Sequence, residues 1–190
     1  MRTSAVVCFL VIVGFGSALC AQTPAQAPKP DPQLEKLQVL VGHWTYEGEH
    51  KPGPLGPGGK VSGEYIGQWR VGGFVLQGSV VEKSSGGTTR IMEIDEYTPM
   101  DKAIHWTSWT SSGGRISGTI TITGNTITWE GKFTLNGKEF RVREPYVFSA
   151  DNMSATGKAD ISADDGKTWT PWIESTYTKA KPAPKKVSKP

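Results

Sequence analysis

Cysteine is almost missing from this chain of 190 residues: there are two, Cys8 and Cys20, both near the N-terminal end. That excludes a disulfide-built scaffold. Histidine is equally scarce, with only His43, His50 and His105. A strong charge of one sign is absent too, since Lys+Arg is 21 against 18 for Asp+Glu, a net +3. Such a balance gives no support for nucleic-acid binding. Long apolar runs are lacking apart from Ala5 to Phe15, which is shorter than the roughly 20 residues a membrane helix needs. A polytopic helical membrane protein is therefore excluded, and the length suits one domain with tails.

What is present begins with the two ends. Residues 1–21 read as a secretory signal peptide, with Arg2 as the positive region, the Ala5–Phe15 run as the apolar core, and small residues before a cut after Cys20 or Ala21. A lipid-modified Cys20 is the alternative. Residues 22–33 form a Pro/Ala-rich linker, and residues 180–190 a Lys/Pro-rich disordered tail. Without Arg2 and the tail lysines 181, 185, 186 and 189 the net charge becomes about −2, so the basic character belongs to the tail. The chain is expected to be secreted or periplasmic and monomeric, with a weak envelope contact through that tail as a second option.

Between the ends, one short helix is expected. Asp31-Pro32 is an N-cap followed by proline at the first helical position, Leu34, Leu37 and Val41 follow at helical spacing, and Gly42 is a stop. From Trp44 onward the pattern alternates, broken by Gly, Asn or Asp about every ten residues. The strands expected are 43–51, 61–71, 73–83, 88–97, 102–111, 114–123, 126–135, 138–148, 153–162 and 168–178. Gly124-Asn125 and Asn136-Gly137 suit two-residue hairpin turns, which fix register. The first pairs Ile122 with Ile127, Ile120 with Trp129, Gly118 with Gly131, and Ile116 with Phe133. The second pairs Phe133 with Phe140, Gly131 with Val142, and Glu130 with Arg143. Both place the isoleucines, Trp129, Phe133, Phe140 and Val142 on one face. Ten sequential strands with one buried face must close, because open edges would aggregate. The fold class expected is an all-β, ten-stranded antiparallel up-and-down barrel over residues 34–179, with one short N-terminal helix.

Gly42-His43-Trp44 after a short helix resembles the Gly-x-Trp opening of lipocalin-like (calycin) barrels. The stretch Leu37 to Trp44, with Gly73 to Gly78 and Glu96 to Lys102, is similar to a family of bacterial secreted domains of unknown function with such barrels. The resemblance implies a ten-stranded barrel, a tryptophan across its bottom, and small-molecule binding. Haem-binding members of the broader group carry a histidine ligand late in the chain, whereas no histidine here follows the sixth strand. No cofactor is therefore expected.

Catalytic and metal motifs are thin. There is no Gly-x-Ser-x-Gly elbow, and Gly53 to Lys60 departs from a phosphate loop at Pro54 and Val61. On one strand His43 and His50 face opposite ways, which argues against a metal centre. Ser162 to Trp169 looks like an Asp-box hairpin, a structural turn. If the apolar faces point inward, Trp44, Tyr65, Trp69, Trp106 and Trp129 line a cavity, and Arg90 shares the inner face with Met92 and Ile94 as its polar anchor. The function expected is binding of a small apolar or amphipathic molecule inside the barrel. The alternatives are a solid envelope-interaction barrel and, behind it, an enzyme with titratable groups converging inside.

Overall fold

A computed structural model describes residues 28–181. The signal-peptide assignment, half of the linker and most of the tail lie outside the described residues. The chain opens with α1 (Pro32–Glu35), capped by the Asp31 carboxylate, which accepts from the Gln33 N–H at 2.8 Å. It tightens at once into a 3-10 turn, Lys36–Leu40. A 3-10 turn repeats every three residues, so Leu34, Leu37 and Leu40 align and all three are buried. The expected partner Val41 instead has extended backbone and leads into the first strand.

Ten strands follow: β1 Gly42–His50, β2 Gly59–Arg70, β3 Val75–Ser84, β4 Gly87–Thr98, β5 Ala103–Thr110, β6 Arg115–Thr123, β7 Thr126–Leu135, β8 Lys138–Phe148, β9 Ser154–Ser162 and β10 Thr170–Lys179. Each pairs antiparallel with its sequence neighbours, and β10 returns to β1, closing the barrel. All the register pairs expected for the β6–β7 and β7–β8 hairpins are found. Closure lets every inner side chain of one curved sheet be shielded without a second layer.

Coiling into a barrel brings backbones close, and glycine makes that possible where Gly118 faces Gly131. A Cβ on Gly118 would lie 1.8 Å from the Glu130 carbonyl oxygen, and one on Gly131 would lie 2.9 Å from the Trp106 ring. The pair serves strand coiling and the seating of Trp106, not the making of free space.

The helical segment plugs one end. Trp44 lies there, 2% exposed, its indole N–H donating to the Leu40 carbonyl at 3.3 Å and its ring edge-on to Phe148 at 5.9 Å. The Lys179 ammonium sits 5.0 Å from the Trp44 ring centre and donates to the Val39 carbonyl at 2.8 Å. The last strand is thereby tied to the helical plug. At the opposite end the β9–β10 connection forms the Asp-box turn. The Asp164 carboxylate accepts from the Thr168 N–H at 2.9 Å, the Thr168 hydroxyl at 2.7 Å and the Ser162 hydroxyl at 2.7 Å. These donors hold its pKa down to about 2, the Thr168 N–H contributing most. Trp169 packs on the outside, with the Arg143 guanidinium 4.3 Å from its ring centre.

Candidate functional site

Above the plug the barrel is hollow. A cavity of about 280 Å³ runs from Leu40 and Trp44 at the closed end to His50 and Trp172 near the opposite rim. Its walls are mostly aromatic and aliphatic: Tyr65, Trp106, Trp129, Ile91, Val142 and Phe148 all face it. Of the residues expected from the sequence, Trp44, Tyr65, Trp106 and Trp129 line this cavity. Trp69 does not. It lies toward the plugged end, half-buried, its indole N–H donating to Gln38 Oε1 at 2.6 Å.

Arg90 is a correction. It is exposed on the outer face of β4, paired across strands with Val81, and Met92 (44% exposed) and Ile94 share that outer face. The inner residues of β4 are Thr89, Ile91, Glu93 and Asp95. The alternation is right in period and wrong in phase by one residue, because the inner face of this strand carries carboxylates. Apolar residues at 91, 92 and 94 fall on both faces and do not decide between them.

The polar part of the cavity is what the sequence reading missed. Glu82 of β3, Glu93 of β4 and Glu144 of β8 project into it among four tyrosines, Tyr46, Tyr65, Tyr146 and Tyr177. The Tyr46 hydroxyl donates to Glu82 Oε2 at 2.9 Å, and His50 Nε2 lies 3.7 Å from Glu82 Oε1. The Tyr146 hydroxyl donates to Glu144 Oε1 at 2.5 Å. Its proton being engaged there, the Tyr177 hydroxyl, 3.1 Å away, donates to Tyr146 in turn. The rings stack as they bond: Tyr46 on Tyr177 at 4.9 Å, Tyr146 edge-on to Trp129 at 5.0 Å. Among the described residues no lysine or arginine lines the cavity.

Burial without a cation sets the protonation. Burial pushes the Glu93 carboxyl up to about 8, with the Glu144 charge adding to the rise. Asp95, fully buried just beyond Glu93, is raised by burial and then by Glu93. Glu144 rises only to about 6, because the bond from Tyr146 favours its charged form against burial. Burial and the neighbouring carboxylates also push the hydroxyls of Tyr46, Tyr65, Tyr146 and Tyr177 above their ordinary range. At neutral pH the cavity therefore holds a mixture of carboxylic acid and carboxylate.

A signal for this ring was present in the sequence. Small residues seat the tyrosines: a Cβ on Gly63 would lie 2.5 Å from the Tyr46 ring, one on Gly78 2.7 Å from Tyr65, and one on Gly157 2.8 Å from Tyr146. Inward glycines within strands, each facing a large ring, mark where a barrel accepts bulky polar side chains. Trp172 reaches the rim because the β9–β10 register shifts between Pro171 and Ile173. Among the described residues no group of three His, Cys, Asp or Glu side chains has metal-binding geometry. His43 faces outward, 3.2 Å from Glu64, and His105 pairs with Asp101 at 2.6 Å on the outside.

No protein-family model matches the sequence, and no curated protein does. Solved structures do. The barrel is similar to the crystal structure of Rv2717c from M. tuberculosis, with a TM-score of 0.59, 15% identity, and coverage of 80% of this chain and 100% of that one. Looser likenesses are a de novo designed fluorescence-activating β-barrel (TM-score 0.38, 14% identity, 75% and 95% covered) and the S-type phycobiliprotein lyase CPES from Guillardia theta (TM-score 0.41, 13% identity, 78% and 93% covered). At 15% identity the first likeness shows a shared fold: a closed, calycin-like barrel.

Proposed function

We propose that this protein is a secreted or periplasmic, monomeric carrier or sensor that binds a small amphipathic molecule inside its barrel. One observation carries the reading. A cavity of about 280 Å³ inside the barrel, walled by aromatic rings, holds a few convergent polar groups. A dry cavity of roughly 150 Å³ takes a benzene molecule. The space here suits a molecule of one or two rings. A barrel folded only for stability gains nothing from such a void, since a cavity forfeits contacts and costs stability in proportion to its volume.

The test uses the barrel's own fluorescence. Trp44, Trp106 and Trp129 all border the cavity, so an apolar dye entering it quenches their emission with one-to-one stoichiometry. Mass spectrometry under native conditions on protein purified from its source then looks for a small molecule retained at the same stoichiometry. Neither quenching nor a retained molecule would leave the interior without a role in binding.

Acid–base catalysis is a second reading, favoured by one feature: a carboxyl held near pKa 8 and one near 6 face the same enclosed space. Recovery of the bound molecule separates the two readings. A carrier returns it unchanged; an enzyme returns a product.

A further inference from the structure

The cavity has a sign. Glu82, Glu93 and Glu144 face it from three different strands, Asp95 lies behind Glu93 on the same face of β4, and among the described residues the sole basic side chain at the wall is His50 at the rim. Carboxyl groups converging in a low-dielectric space with no lysine or arginine beside them give up their hydration, and those that ionise repel one another, a combination that proteins seldom keep unless something compensates it. Two polar groups of wall residues also lack a partner among the described residues. The Trp129 indole N–H is buried, its residue 5% exposed, and it has no hydrogen-bond partner; the buried Tyr65 hydroxyl has none either. Both residues line the cavity. Aromatic faces surround the carboxylates on several sides, which is the wall that a positive charge prefers.

Resting on the reading that the cavity binds a small molecule, we propose that its occupant is an organic cation: a protonated amine on an apolar body of one or two rings. The ammonium sits against Glu93 and Glu144, and the apolar part lies along Trp106, Trp129 and Tyr65. Tyr46, Tyr146 and Tyr177 hold Glu82 and Glu144 in place through their hydroxyls and rings.

The proposal has a proton consequence. In the empty barrel Glu93 retains a proton near neutrality, because burial opposes its charge. An ammonium group placed beside it favours the carboxylate, so the proton leaves to solvent as the cation enters. The groups that share this equilibrium are Glu82, Glu144 and Asp95, His50 at the rim, and the four tyrosines, whose hydroxyls stay protonated. Binding therefore tightens as pH rises through the range of the raised carboxyls.

The experiment is calorimetric titration of the purified protein with three compounds of one shape: phenethylamine (cationic), 2-phenylethanol (neutral) and phenylacetate (anionic). The amine is expected to bind at least about tenfold more tightly than the alcohol, with phenylacetate weakest, and with net proton release shown by repeating the titration in buffers of different ionisation enthalpy. In the Glu93→Gln and Glu144→Gln variants, and more so in the double variant, the amine is expected to lose that advantage. A cooperative thermal melt shows that the variants keep their fold. An alcohol or phenylacetate that binds as tightly as the amine overturns the proposal and leaves the broader reading intact. If none of the three binds while an apolar dye still does, the cation proposal falls alone; if the dye also fails, both fall.

Discussion

The two halves of the barrel interior obey different rules. At the plugged end Leu34, Leu37, Leu40, Trp44 and Phe148 fill the space, and the part-buried amine of Lys179 is partnered by a carbonyl and an aromatic face. Farther up, carboxylates and tyrosines face an open volume, and two wall donors have no partner. The first half follows the requirement that a core be dry, dense and satisfied. The second departs from it at several positions, and departures of that kind gather where a protein binds or reacts. Stability is thus expected to reside at one end and recognition toward the other.

The comparison breaks most readily at the plug. Trp44→Ala removes a buried ring, its bond to Leu40 and the platform under Lys179, and is expected to cost about 3–5 kcal/mol in denaturant unfolding. A loss below about 1 kcal/mol would mean that the plug is not what closes the fold.

Toward the cavity, substitution should act in the opposite sense. Glu93 and Glu144 have raised pKa values in the folded protein, so the folded chain holds protons that the unfolded chain releases. Stability is then greatest below the ordinary glutamate range and is lost as pH climbs through about 6 and about 8. Urea titrations across that range should show the decline, and Glu93→Gln should flatten it, raising stability on the order of a few kcal/mol near pH 8.5. A variant less stable than wild type at that pH would show that Glu93 is a structural group.

A smaller effect is expected at the rim. Asp164→Ala deprives the Asp-box turn of three bonds to the Asp164 carboxylate, and a thermal melt should fall by about a few degrees with dye binding unchanged. Smallest of all is Arg90→Ala. This exposed outer residue should alter stability by less than about 0.5 kcal/mol and leave titrations of the cavity unaltered. Any loss of binding there would return Arg90 to the interior.

How much of this was legible depended on what each strand buries. The hairpins of β6, β7 and β8 could be read to the residue because two-residue turns set their register and Ile120, Ile127, Trp129 and Val142 leave no choice of inner face. The 3-10 turn was not legible, since spacing of 34, 37 and 41 suits an α-helix as well as 34, 37 and 40 suits the tighter turn. β4 misled for a physical reason: its phase was set by Met92 and Ile94 as inner apolar residues, whereas its inner face carries Glu93 and Asp95. The candidate site was therefore half visible. Its aromatic walls followed from alternation, as did the inner place of Glu144 two residues after Val142, while Glu93 lay on the face of β4 that Met92 and Ile94 argued against; inward glycines make room for the tyrosine partners.

Crystals soaked with 4-bromophenethylamine would locate an occupant of the barrel through the anomalous signal of bromine. The expected result is a single peak inside the barrel, beside Trp106 and Trp129, with the amine nitrogen within hydrogen-bond distance of Glu93 or Glu144. Bromine found only on the outer surface, or an interior filled by rearranged side chains, would contradict it.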